Sequence, residues 1–204
     1  MPGGVLLVAL VSLGATIGVM GWVLTAANEA MDSFAVEATP ASIGPSPTPG
    51  PAIDLLRTDP APGLAALGMA SGSPERALQV VLYDEYVVAE VEDVGGAPGA
   101  GVRWVIYPAR ITRGPEPVRG SAEDLAPRWF DLGEVDWSMI PALGARGVAE
   151  LEASGMAGGE VSHVIVDRFL PFDEAVNIRV YVTSPTGSAY VRFSPSGDLI
   201  EVVG

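Results

Sequence analysis

The residues that could do chemistry are few. His163, in VSHVIVD, is the only histidine in the 204-residue chain. A hydrolytic triad needs such a base beside a nucleophile and oriented by an acid, but no Gly-x-Ser-x-Gly elbow accompanies it. On a strand, His163 shares a face with Ile165 and Asp167, which reads as a structural or surface histidine. One imidazole with Asp167 or Asp173 falls short of a zinc ligand set. The chain has 25 carboxylates, clustered as Asp84-Glu85, as Glu90-Val91-Glu92-Asp93, and as Asp131, Glu134 and Asp136. None follows an EF-hand loop, so solvated turns and strand faces account for them. Lysine is absent, which excludes a P-loop. No catalytic, cofactor-binding or metal-binding residue is therefore assigned, and no cofactor is expected.

Arginine and tyrosine are better candidates. Arg179 and Arg192 fall on strands expected to be neighbours, and Arg103 falls on the equivalent strand earlier in the chain. Cross-strand pairing with Glu90, Glu92 or Glu201 is one reading, each pair contributing roughly 0.2–1 kcal/mol. A recognition face formed by Arg179, Arg192, Tyr181 and Tyr190 is the other. Trp129, Phe130 and Trp137 bracket an acidic segment and are expected to pack in the core, because aromatic side chains bury large areas. An exposed aromatic groove for a peptide or glycan is the alternative.

The elements that must position these residues begin with an uncharged run, Gly3 to Ala27. A helix over it rises about 1.5 Å per residue and exceeds the roughly 30 Å hydrocarbon core of a bilayer. The run is too long, and its n-region too poor in basic residues, for an ordinary signal peptide. Residues 1–27 are thus expected to be a transmembrane helix, with the bulk of the chain outside the cell membrane. Gly14, Gly18 and Gly21 share one helical face and are candidates for close helix–helix contact. Residues 28–51 include TPASIGPSPTPG, whose alternating prolines forbid a helix and favour an extended spacer.

Residues 52–204 have the size of one ordinary domain. No cysteine is available for disulfides or thiolate chemistry, and the formal charge of −14 argues against nucleic acid as a partner. Two halves, about 52–120 and 131–204, share an order of helix then strands. In the first, apolar spacing through GLAALGMASG predicts a helix. Strands are expected at Leu78–Tyr83, Tyr86–Asp93 and Val102–Thr112, with turns at Asp84-Glu85 and GGAPGAG. In the second, Trp137–Ser154 reads as a helix with Asp136 as N-cap and Gly155 as its stop. Strands follow at Val161–Phe169, Val176–Thr183 and Ser188–Val203, the last broken by a hairpin at SPSGDL. VVLYD aligns with VIVDR, VVAEVED with VNIRVYV, VRWVIYP with AYVRFSP, and the ITRGPEP turn with SPSGDL, which points to internal duplication. Alternation in Val87, Ala89 and Val91, and in Ile178, Val180 and Val182, buries one face of each strand and leaves a mixed face outside. The expected fold is α+β: tandem helix-plus-antiparallel-meander units behind one N-terminal transmembrane helix.

This order of elements, with runs such as FDLGEVDWSMIPAL and VNIRVYVTSPTGSAYVRF, resembles PepSY-like and beta-lactamase-inhibitor-protein-like tandem modules. It also looks like membrane-anchored proteins of high-GC bacteria. The resemblance covers roughly 53–203 and rests on pattern; it implies a binding, inhibitory or regulatory domain and carries over no functional residue. The lack of cysteine departs from disulfide-bearing inhibitors. The expectation is a non-catalytic, membrane-anchored binding or sensing domain with a protein partner. An envelope hydrolase using carboxylates and an assembly factor of a membrane complex stay open as alternatives.

Overall fold

The computed structural model describes residues 54–204 apart from 108–109, 169 and 171–173. The expected membrane span with Gly14, Gly18 and Gly21, and the Pro-rich spacer, lie outside the described residues. Among the described residues no helix is long and apolar enough to cross a membrane.

The described chain is α+β, built on an antiparallel sheet. Its strands are β1 (Arg76–Leu82), β2 (Val87–Glu92), β3 (Gly101–Tyr107), β4 (Arg110–Pro117), β5 (Phe130–Asp131), β6 (Glu160–Arg168), β7 (Val176–Ser184), β8 (Gly187–Phe193) and β9 (Leu199–Val203). Their order across the sheet is β4-β3-β2-β1-β6-β7-β8-β9, with β5 paired to the start of β1. Two four-stranded meanders thus meet where β1 runs antiparallel to β6, Val81 opposite Ile165.

Two helices pack on one face. The first, α1 (Ala61–Ser71), starts where Asp59 accepts the Ala61 N–H at 2.9 Å and ends at Gly72, whose φ of +84° suits glycine. A short helix, α2 (Ala122–Leu125), is closed by a capping box between Ser121 and Asp124. The second long helix, α3 (Ile140–Ala153), follows a 3-10 turn at Trp137–Met139 for which Asp136 supplies the cap to Ser138 N–H. It carries Pro141 in its first turn, where the missing N–H costs nothing. Gly155, at φ +104°, follows its end.

Burial of Ile140, Leu143, Gly144, Gly147 and Leu151 gives α3 one apolar face. That face lies on Val164, Val166, Ile178, Val180, Val182, Val191 and Phe193 from β6–β8. Leu67 of α1 belongs to the same core, with Val80, Leu82, Val87, Ala89, Val91 and Ile106. Phe130 and Trp137 are buried there too, whereas Trp129 joins Leu78 and Leu125 in a separate small cluster. The Trp137 indole N–H donates to Leu132 O at 2.9 Å.

The sequence reading of Val102–Thr112 as one strand, and of ITRGPEP as a turn, is corrected. The chain reverses between Tyr107 and Arg110, which face each other across a hairpin, and ITRGPEP lies inside β4. Gly114, Pro115 and Pro117 read as breakers because a central strand cannot hold them. Among the described residues β4 is an edge strand with no partner on its outer side, and a register shift opposite Val102–Trp104 absorbs the irregular residues.

Candidate functional site: the ring-lined face of the sheet

The side chains alternating with the core set point to the other face of the sheet, on which neither long helix packs. Strand register sorts them into three rows. The outermost holds Tyr107, Tyr86, Tyr83, His163, Tyr181 and Tyr190, running from β3 through β2, β1, β6 and β7 to β8. These are all five tyrosines of the protein and its one histidine. Successive ring centroids lie 5.7, 4.6, 5.6, 4.4 and 5.2 Å apart, close to the spacing of neighbouring strands. The Arg110 guanidinium sits 5.2 Å from the Tyr107 ring and extends the row with a cation.

The middle row is apolar from β3 to β6 and charged from β7 to β9: Val105, Val88, Val81, Ile165, then Arg179, Arg192 and Glu201. The third row comprises Arg103, Glu90, Gln79, Asp167 and Asn177. Long side chains of the two outer rows shield the middle one, leaving Val81, Val105 and Ile165 under a tenth exposed.

Ion pairs lock the charged rows. Arg179 Nη2 donates to both oxygens of Asp167, at 2.6 and 2.7 Å, and Gln79 Nε2 donates to Asp167 at 3.0 Å. Arg103 donates to Glu90 at 2.6 Å, and Arg192 lies 3.1 Å from Glu201. Arg76 pairs with Glu92 and lies over Trp129. The cross-strand pairing expected from sequence is therefore present for Arg103 and Arg192. Arg179 and Glu90 lie on the outward face, but the exposure expected for Arg179 is corrected: both are buried, because each covers its partner.

Burial, and secondarily the Arg179 charge, lowers the His163 pKa to about 4, so its ring is neutral at physiological pH. Its Nδ1 lies 3.0 Å from Ser162 Oγ, which donates to Tyr181 O. Ser162 reaches that position because it is the extra residue of a bulge between Val161 and His163. Burial also raises the phenol pKa values of Tyr83, Tyr86, Tyr181 and Tyr190. The row is thus an uncharged stripe. Ring faces are largely spent on one another, so ring edges and hydroxyls are what it offers to a partner.

Comparison with known proteins finds no match. No family model, no curated protein and no solved structure aligns with the chain.

Of the residues singled out from sequence, Tyr181 lies directly opposite Tyr190 and Arg179 opposite Arg192, all on this face. Tyr83, Tyr86, Tyr107 and His163 are the members that sequence reasoning missed. Part of the signal was available: Tyr83 and Tyr86 flank a two-residue turn at Asp84-Glu85, which puts flanking side chains on one face of a hairpin. The pairing of β1 with β6, which sets His163 beside Tyr83, has no counterpart in local pattern.

Proposed function

We propose that this chain is a non-catalytic binding protein that recognises a protein partner through the ring-lined face of its sheet. The observation that carries the reading is the unbroken row of six rings across six strands. Aromatic and arginine side chains on a flat, half-buried surface are the residues that dominate protein–protein binding energy. On this reading the N-terminal run anchors the protein in the cell membrane and the Pro-rich spacer holds the domain outside it. The expectation of carboxylate-based hydrolysis is disfavoured at this face, since Glu90, Asp167 and Glu201 are all engaged by arginine.

The two meanders are read as copies of one ancestral unit. Supporting this, β1 has its extra residue between Ala77 and Gln79 opposite β2, and β6 has its own between Val161 and His163 opposite β7. When VVLYD is aligned with VIVDR, Leu78 and Ser162 coincide. The chemistry of the halves has diverged on this scaffold. His163 aligns with Gln79, and Tyr83 with Asp167, so one row became aromatic and the other charged.

Photo-cross-linking from positions 86 and 190 in native membranes tests the reading, with position 69 as control because Met69 is 81% exposed and stands on α1. A partner trapped from 86 and 190, and lost when Tyr83→Ser and Tyr181→Ser are introduced, is the expected result. Equal trapping from position 69, or none from the sheet, would sink it.

A further inference from the structure

The two edges of the sheet differ in chemistry. β4 is protected in the ways that edge strands usually are: it carries Pro115, Pro117 and the charges of Arg110, Arg113 and Glu116, and a register shift breaks its pairing with β3. β9, at the other end, holds a single charged residue among Leu199, Ile200, Glu201, Val202 and Val203. That charge is already matched, since Glu201 lies 3.1 Å from Arg192 of β8 in its own sheet. Leu199, Ile200 and Val202 are exposed, and among the described residues no strand pairs with the outer side of β9.

We propose that β9 pairs with β9 of a second copy, antiparallel and about a two-fold axis at Val202, to make one continuous sheet. A neighbouring copy could offer either of its edges to β9. The prolines and charges of β4 work against the first choice, which would also run on from copy to copy without closing. Pairing of like edges is isologous and stops at two copies. It leaves only the two protected β4 edges at the ends of the joined sheet.

Register places the axis. In an antiparallel pair related by a two-fold axis, one residue faces its own copy. At least three opposed pairs within Leu199–Val203 require that residue to be Ile200, Glu201 or Val202. Ile200 is the extra residue of a bulge, because Arg192 faces Glu201 while Phe193 faces Leu199. Glu201 would set two carboxylates directly opposite each other, which is destabilising. Val202 remains. It faces Val191 on the helix-bearing side, so its copy would cover an apolar side chain that α3 leaves exposed.

An axis of this kind stands normal to the sheet, so the ring-lined faces of both copies look the same way. The proposal does not rest on the function given to that face, but the pair presents two such faces to one partner and adds avidity.

The chain has no cysteine, so single introduced cysteines report on their neighbours without background. Directly opposed residues of an antiparallel pair have Cα atoms about 4.5–5.5 Å apart, within the span of a disulfide. Full-length Ile200→Cys, Glu201→Cys, Val202→Cys and Val203→Cys are oxidised in intact expressing cells and separated on a non-reducing gel. Met69→Cys on α1 and Thr112→Cys on β4 serve as exposed controls. A disulfide-linked dimer is expected most strongly from Val202→Cys and several-fold above either control. Co-expressed Glu201→Cys and Val203→Cys chains, one of them tagged, should link to each other, which checks the register without altering Val202. No dimer from either arrangement, an equal dimer from a control, or a disulfide to a different protein in its place would each overturn the proposal. A maximum at Ile200→Cys or Glu201→Cys would overturn the axis.

Discussion

His163 lies almost flat on Tyr181, with ring centroids 4.4 Å apart and planes inclined by 11°. The contact spans adjacent strands that face each other at this register, and Tyr83 closes the other side of the imidazole at 5.6 Å. An imidazole held between two phenol rings and near the Arg179 guanidinium is poorly placed to accept a proton.

Stability should therefore fall on mild acidification. The folded-state pKa of His163 is depressed to about 4 from 6.5. The unfolded chain then binds more protons than the native one between these values, so stability rises with pH across that window. Its contribution is present above about pH 6.5 and lost as pH falls through 4, amounting to about 1–3 kcal/mol. Urea midpoints measured at pH 7 and pH 4.5 should differ by more in the unaltered protein than in His163→Phe. Equal differences would refute the assignment.

The tyrosines act on the alkaline side. Their raised pKa values mean that stability from the neutral phenols is present below the ordinary tyrosine range and lost as pH rises through the folded values. Ultraviolet titration should show tyrosinate forming late, and together with unfolding. Early, fully reversible ionisation of Tyr83, Tyr86, Tyr181 and Tyr190 would contradict the row.

Asp167→Ala should cost about 3–5 kcal/mol, because it removes the carboxylate that accepts two hydrogen bonds from the buried Arg179 guanidinium. Glu201→Ala breaks a pair whose acid side chain is 40% exposed and should cost under about 1 kcal/mol. Chemical denaturation of the two variants gives the comparison; similar losses would show that burial does not separate the pairs.

Gly147 sets how close α3 comes to the sheet. A Cβ there would meet Val180 Cγ1 at 2.9 Å and Val180 Cβ at 3.2 Å. Gly147→Ala, despite its better helix propensity, should destabilise by about 1–3 kcal/mol through overpacking. A rise in the thermal midpoint would show that the helix can lift at no cost.

The β9 edge leaves Leu199, Ile200 and Val202 exposed, with no strand beyond them among the described residues. An apolar edge of this kind templates pairing with another chain. Ile200→Lys should lower the protein's tendency to associate at high concentration, read by light scattering, without moving the thermal midpoint; unchanged scattering would count against it.

Much of this architecture follows from local sequence. Period-2 alternation in Val87–Glu92 and Val176–Thr183 set which side chains reach the core, since a strand has no other way to bury half its residues. The Asp84-Glu85, GGAPGAG and SPSGDL breaks fall between strands in the structure, and Gly155 follows the end of α3 because a glycine there can take a positive φ. Those signals involve residues within a few positions of one another. ITRGPEP misled for the same reason: its prolines and glycine describe a turn locally, and only the position of β4 at the sheet edge makes them tolerable.

The candidate site divides along the same line. Arg179, Arg192, Tyr181 and Tyr190 could be grouped from one predicted hairpin, because β7 and β8 are consecutive. His163 beside Tyr83, and Gln79 beside Asp167, depend on β1 pairing with β6, about 80 residues away. The sequence by itself determined most of the strands, with the pair at Gly101–Pro117 the exception, and the buried faces of Val87–Glu92 and Val176–Thr183, since each is written in short-range spacing. The tertiary structure alone decided that the five tyrosines and the single histidine form one row. Register between distant strands is fixed by packing of the whole sheet against its helices, and no local pattern encodes it.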